Sequence, residues 1–390
     1  MQNKVKISFL GDVMYYSTFL PNPPLTPLEN ISSLLQESDF VIANLECPIS
    51  RNYGQGTHTT GRFRFVAPVQ FAAAIKKAGV THISIANNHC LDQGFAGLME
   101  TMDALCDIKL PFMGARRKKA DNGFCLLEKN GIRVGIMSST YGTNAIENGQ
   151  RLNLWQSKHL NLSQNQELSN PFTLFLFKRY YNLYLKLKWR TNREAYDWFD
   201  RKEFSFFKRR KLRKELQLMK KRGAEFIVAY PHWGGQHRLT PMQSARELGK
   251  FLQKSGANAV IGHHEHLVQI AEMTPDGMCA YCLGNTLGYH GITERDEEKL
   301  ENYSIILHLY LQKEKHKHLS SKYTFSIAKC LPNSDGHAVC HLLSDLITQA
   351  TDETIKSALL KDQALIYKRF TGKALHPPEQ TAPEFSFPCR

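Results

Sequence analysis

Short apolar runs that stop at polar residues recur along this chain. Val5–Leu10 is β-branched and aromatic and ends in Gly11-Asp12, and Phe40–Leu45 ends in Glu46-Cys47-Pro48. Runs of this length and composition read as strands. Residues 27–37 between them read as a helix. Pro68–Gly79 has helical spacing and closes at Gly79, a good C-terminal stop. Thr81–Ala86 is a strand ending in Asn87-Asn88-His89, Gly97–Cys106 a helix, and Arg133–Met137 a further strand. The rhythm resumes with a strand at Phe226–Tyr230 that leads into Pro-His-Trp-Gly. A helix at Met242–Ser255 follows, then strands at Ala259–Ile261 and Met278–Leu283. Strands alternating with helices predict a layered α/β fold. The polar residues fall just after strands, where open α/β folds bind ligands.

Residues 143–222 break this pattern. They begin Asn/Gln-rich and loop-like, pass through PFTLFLFKRYYNLYLKLKWR (171–190) and end in a strongly basic helix, KRRKLRKELQLMKKR (208–222). The aromatic stretch suits core packing, a lid, or peripheral contact with a membrane surface. The basic helix reads as a solvated face able to steer anions. Beyond residue 300 the pattern predicts a strand at Ser304–Tyr310, a His/Lys loop, a helix near 338–361 and a Pro-rich, mobile tail. The expected organisation is one domain over 1–300, interrupted by the insert at about 143–222, and an extension of strand plus helix over 301–390.

Composition narrows the class. Apolar residues make up 42% of the 390, enough for a sizeable core, and the net charge of +14 favours anionic partners. No recognised nucleic-acid module accompanies that charge, so nucleic acid is not the expected partner. No secretory signal and no run long enough to cross a bilayer is seen, so a soluble, cytoplasmic protein is expected. The nine scattered cysteines fit a reduced compartment better than a disulfide framework. Cys279 and Cys282 form a lone CxxC inside an apolar run, a weak signal that suits buried strand cysteines.

The strand ends carry the candidate chemistry. Asp12, Asn44, Glu46, Asn88, His89, His232, His264 and His266 combine imidazole, carboxylate and amide donors without cysteine, a set suited to Mn²⁺, Fe²⁺, Zn²⁺ or Co²⁺. It is large enough for two metals sharing a carboxylate. In Gly262-His263-His264-Glu265-His266, alternate residues on an extended turn put His264 and His266 on one face and turn His263 away. His89 and Asp92, three apart, form a pair able to pass a proton to a leaving group.

The series GDVM (11–14), ANLECP (43–48), FRFVAP (63–68), ANNHCLDQG (86–94), PHWGGQ (231–236), GHHEH (262–266) and CLGN (282–285) resembles the bacterial CapA family, proteins of capsule and poly-γ-glutamate synthesis with a calcineurin-like metallophosphatase fold. The motifs stand in family order and span about residues 5–290. The resemblance implies a four-layer α/β/β/α sandwich with a two-metal site at its sheet edges. It implies Asp12 and His266 on one metal, Asn88, His232 and His264 on the other, and Glu46 as bridge. It also implies His89 facing the scissile bond with Asp92 behind it. Arg64 is a candidate anion clamp, because its fork matches carboxylate or phosphate; Asn87 and Asn285 are assigned as further substrate contacts.

Three positions depart from the pattern. Met14 stands where catalytic metallophosphatases carry a metal-binding His, Glu265 replaces the usual proline, and Gln236 replaces an acid. The expected function is a metal-dependent hydrolase that uses a metal-activated water against a phosphoester or an anionic γ-glutamyl polymer. The alternative is an accessory, non-catalytic component that binds or transfers that polymer.

Overall fold

The computed structural model of the chain describes residues 3–15, 26–53, 65–118, 120–145, 151–164, 206–288, 300–313, 319–375 and 382–388. In chain order the first half carries β1 (Lys4–Val13), α1 (Ser32–Gln36), β2 (Phe40–Leu45), β3 (Ile49–Ser50), β4 (Ala67–Pro68), α2 (Val69–Lys77), β5 (His82–Ser84), α3 (Gly94–Asp107), β6 (Phe112–Met113), β7 (Phe124–Lys129) and β8 (Ile132–Thr140). The second half carries α4 (Phe206–Lys221), β9 (Phe226–His232), α5 (Gln243–Lys254), β10 (Ala259–Ile261), β11 (Ala271–Thr274), β12 (Gly277–Ala280) and β13 (Asn285–Leu287). It closes with β14 (Tyr303–Lys313), β15 (Leu319–Pro332), β16 (Ala338–Leu342), α6 (Leu343–Gln349), α7 (Glu353–Thr371) and β17 (Phe385–Ser386).

Two large sheets form the centre. One runs β16-β15-β14-β1-β2-β5-β6, with β13 beside β1 and β17 beside β15; the other runs β11-β12-β10-β9-β8-β7. β1, β2, β5 and β6 are mutually parallel, as are β8, β9, β10 and β12. Successive residues of a strand face opposite sides, and here both sides are buried. Ile7, Phe9 and Ile42 of the first sheet meet Ile136, Val228 and Tyr230 of the second in a core between the sheets. Val41, Ala43 and Leu45, on the opposite face, pack under Leu35 of α1, Phe71 and Ile75 of α2, and Leu98 and Met102 of α3. Ile227 and Ala229 pack under Leu212, Leu216 and Met219 of α4 and Leu248 and Leu252 of α5. The order is helix, sheet, sheet, helix: a metallophosphatase-like α/β sandwich.

The structure changes several local expectations. The basic helix α4 is not simply a solvated face, because Leu212, Leu216 and Met219 have no exposure. Strongly basic composition hid a narrow apolar stripe at helical spacing. The region expected as a helix near 338–361 is strand β16, then α6, then α7. Asp352 caps α7 by accepting hydrogen bonds from Thr354 N and Ile355 N. Beyond residue 300, β14 pairs antiparallel with β1 over Lys4–Phe9, and Ser8 Oγ lies 2.7 Å from buried His308 Nδ1. Phe385 and Phe387 of the tail are buried, whereas residues 376–381 lie outside the described residues. The same is true of the aromatic stretch 171–190 and most of the insert. The described cysteines are unbridged, and Cys279 and Cys282 are both buried.

Phe325 of β15 is fully buried, with ring centroids 5.0 Å from Phe370, 5.4 Å from Phe385 and 5.6 Å from Tyr367. Phe325→Ala is expected to cost about 3–5 kcal/mol. Chemical denaturation followed by tryptophan fluorescence should show this as one shifted transition, since β14 and β15 continue the sheet that contains β1.

Candidate metal centre

The parallel strands of the two sheets deliver their carboxyl ends to one place. Asp12 lies one residue before the end of β1, Asn44 lies in β2 with Glu46 just beyond, Asn88 follows β5, and His232 is the last residue of β9. His263, His264 and His266 follow β10, and Asn285 opens β13. Two local features make this convergence possible. The β1–β2 register shifts between Phe9 and Asp12, as at a bulge that re-aims a side chain. Gly11 also lets β1 approach the turn before β13: a Cβ there would lie 1.9 Å from Gly284 O, while Asp12 N donates to that oxygen at 3.0 Å.

The His-rich turn is not extended. His264 has φ 109° and His266 φ 60°, conformations that L-residues rarely adopt and that concentrate at functional sites. With that twist His263 does not turn away. Its Nδ1 lies 2.7 Å from His232 Nδ1 and 3.5 Å from Asp12 Oδ1, and its ring packs 4.4 Å from that of Tyr230.

Asp12 is fully buried and held from several sides. Oδ1 accepts from Asn44 Nδ2 at 2.8 Å, and Oδ2 accepts from His264 N at 3.0 Å and lies 3.3 Å from His266 Nδ1. Burial alone would raise this carboxyl, but hydrogen bonding and attraction from His266, then His263 and Asn44, hold it well below the usual carboxylate range. His232 Nε2 lies 2.6 Å from Asn88 Oδ1 and 3.4 Å from Glu46 Oε1. His266 Nδ1 lies 2.9 Å from Asn285 Oδ1. Asn87 Nδ2 donates to Leu45 O at 2.7 Å, which ties the Asn-Asn-His turn to the end of β2.

These residues fit a divalent cation. Both oxygens of fully buried Glu46 lack a hydrogen bond among the described residues, a costly state for a carboxylate with no cation beside it. Burial, then the charges of Asp12 and Asp92, push the Glu46 carboxyl well above its ordinary value. Burial likewise lowers the imidazoles: His263 falls to about 4, and His232 and His264 lie well below their ordinary value. Neutral imidazole is the form that ligates metal. Two compact groups result, Asp12 with His232 and His263, and Glu46 with His264 and His266, the ligating atoms of each within 4.8 Å of one another. Among imidazoles and carboxylates this grouping differs from the partition that the resemblance implies: His263 joins Asp12 and His232, and His266 stands with Glu46 and His264, while Asn88 Oδ1 lies beside His232 Nε2.

His89 and Asp92 form a separate buried pair beside the cluster. His89 Nδ1 lies 2.7 Å from Asp92 Oδ2, which also accepts from Phe65 N at 2.7 Å, and the Phe65 ring packs 4.3 Å from His89. Arg64 lies outside the described residues. Met14 is buried among apolar side chains. Glu265, in place of proline, lies buried against Gly234, where a Cβ would meet its Oε1 at 2.1 Å. Gln236 is exposed. Two neighbours escaped the sequence reading. Tyr141 packs 4.7 Å from His264, and His237 packs 5.7 Å from His266 while its Nδ1 lies 3.0 Å from Glu301 Oε1. Tyr141 follows the end of β8, the same strand-end position that marked the other residues.

Fold and site together define a calcineurin-like, metallophosphatase-type sandwich with a candidate divalent-metal centre at its strand edge. The chain belongs to the family described as bacterial capsule synthesis protein PGA_cap, whose match covers residues 6–289. It is 25% identical over 281 residues to "Capsule biosynthesis protein CapA" of Bacillus anthracis, covering 71% of this chain and 57% of that protein. It is 21% identical over 310 residues to "PGA biosynthesis protein CapA" of Bacillus subtilis (strain 168), covering 76% of this chain and 67% of that one. The chain thus spans less than two thirds of the first of these relatives. A solved hypothetical protein from Thermus thermophilus superposes at a TM-score of 0.39 and 15% identity, over 86% of this chain and 98% of that one.

Asn285→Ala is expected to weaken metal binding about 10–100-fold, because it frees the His266 ring that Asn285 orients. Titration of metal-stripped protein with Mn²⁺ or Zn²⁺, followed by calorimetry, measures this directly.

Proposed function

We propose that the chain is a metal-dependent hydrolase of capsule or poly-γ-glutamate synthesis, acting on a phosphoester or on an anionic γ-glutamyl polymer. The observation that carries the reading is the buried cluster of two carboxylates and four imidazoles around Glu46, whose oxygens have no hydrogen bond among the described residues. Asp12, Glu46, His232, His263, His264 and His266 would hold the ions. When bound there, divalent ions would supply Lewis acidity toward a phosphoryl or carbonyl oxygen and lower the pKa of water.

The rest is the work of the chain. Asn44 and the His264 N–H hold Asp12, Asn88 and Asn285 orient His232 and His266, and deep burial keeps His232, His263 and His264 neutral. Asp92 accepts from His89 Nδ1, which fixes the ring so that, in its doubly protonated form, it hands the Nε2 proton to the leaving group and is left neutral with Nδ1–H still on Asp92. Anionic substrate is the proposed partner, in keeping with the net charge of +14. Among the described residues, no helix is long and apolar enough to cross a membrane.

One observation favours a second reading. Met14 presents an apolar side chain where catalytic relatives of this fold place a ligand, and an accessory protein that binds or transfers the polymer needs no complete hydrolytic centre.

A screen of a phosphodiester and of poly-γ-glutamate with Mn²⁺, Fe²⁺, Zn²⁺ and Co²⁺ separates the two. Hydrolysis is expected with at least one ion, and His89→Asn should lower kcat by about 10²–10⁴-fold at unchanged metal content. Tight metal binding with no turnover of either substrate under any ion would leave the accessory reading standing and sink the hydrolase.

A further inference from the structure

A cleft rimmed by cations lies outside the metal cluster, between the segment 151–164 and the face of α4 that runs from Phe207 to Leu218. The cleft measures about 650 Å³. Among the described residues, Arg116, Lys158, Lys208, Lys211 and Lys214 line it, against the one carboxylate of Glu215. The cleft is built rather than a loose surface patch. Arg116 is only 7% exposed; its Nη2 donates to Asn161 Oδ1 at 2.5 Å and to Glu215 Oε1 at 3.0 Å, while its Nε has no hydrogen bond among the described residues. Backbone hydrogen bonds fix the wall: Arg116 N donates to His159 O at 2.9 Å, and Asn161 N to Gly114 O at 2.8 Å. Lys211 Nζ donates to Leu160 O at 3.0 Å, which anchors the helix to the same wall.

The charges there are poorly compensated. Burying cations is unfavourable unless anions pair with them. Burial, then the nearby Arg116 charge, pushes the Lys211 ammonium down to about 7, with Glu215 opposing and Lys208 adding to the fall. Burial lowers Lys208 as well. A ligand that brings negative charge into the cleft would relieve this repulsion. The walls also include Leu154 at 88% exposure and Phe207 at 75%. That mixture suits a ligand whose charges are separated by aliphatic carbon more than one that is polar throughout.

We propose that this cleft binds a stretch of an acidic chain, an oligomer bearing carboxylates on short aliphatic arms, and holds it beside the strand edge that carries the metal centre. The proposal rests on the reading of the protein as a handler of an anionic polymer. α4 precedes β9, which runs parallel to its sheet neighbours, so the start of α4 lies toward the carboxyl ends of those strands. The Lys and Arg side chains would capture successive carboxylates of the chain, and the apolar wall would take its methylene groups.

The test uses the full chain and two probes, a fluorescently labelled short glutamate oligomer and inorganic tripolyphosphate, at near-physiological salt. Lys208→Gln/Lys211→Gln is expected to weaken oligomer binding about tenfold or more, with metal content unchanged. Lys220→Gln/Lys221→Gln removes two lysines of the same helix that do not line the cleft and should change binding by no more than about twofold. Lys214→Glu, at an exposed position, should weaken binding as well and guards against a folding defect in the first pair. Equal losses in both lysine pairs, no binding of the oligomer, or binding of tripolyphosphate alone would each overturn the proposal. Metal content and hydrolysis, read on the same proteins, show separately whether the metal-centre reading stands.

Discussion

A carboxylate with no access to water governs this structure. Ionised Asp12 at the end of β1 could not persist in an apolar interior without donors aimed at it. Asn44 from β2, the backbone of His264 beyond β10 and the ring of His266 supply them, and His263 and His232 stand close by. Those partners come from both sheets. The position of one sheet against the other is therefore tied to the satisfaction of this single group, and the cluster links the architecture to the chemistry.

Around that point two different kinds of order meet. Away from the edge the molecule is held by nondirectional burial, with strands covered on both faces and helices on the outside of each sheet. At the edge, contacts are directional and costly. The backbone of His264 and His266 is twisted to positive φ, Gly11 gives up its side chain so that β1 can reach β13, and Glu265 occupies space that only a glycine at 234 leaves open. Strain of this kind persists where the surrounding packing over-determines it. The cost is consistent with a site kept for a ligand, since burial leaves Glu46 without a hydrogen bond among the described residues and favours the neutral form of His232 and His264.

Much of the fold was legible in the chain. Strands such as Val5–Leu10 and Phe226–Tyr230 declare themselves, because β-branched and aromatic runs that stop at polar turns have few other uses. The basic helix was legible as a helix but not as a packing element. Its apolar stripe is Leu212, Leu216 and Met219, three side chains among many cations, and only the presence of β8 and β9 beneath them makes it a core face. The break of 338–361 into a strand and two helices was hidden for a similar reason. Ala338–Leu342 becomes a strand because β15 offers it an open edge, a partner that no local pattern announces.

The candidate site divides along the same line. The sequence by itself determined the chemical inventory: which carboxylates, amides and imidazoles stand at strand ends, and the absence of an imidazole at Met14. Those are local facts, readable from residue type and from the end of an apolar run. Tertiary structure alone decided how the donors group. An extended turn would have turned His263 outward, whereas the positive-φ turn after β10 brings it against Asp12 and His232, and Asn88 becomes the partner of an imidazole. Distances between residues hundreds of positions apart depend on how two twisted sheets stack. That stacking is set by the summed packing of their faces and the demands of one buried charge, and no single segment of the chain contains it.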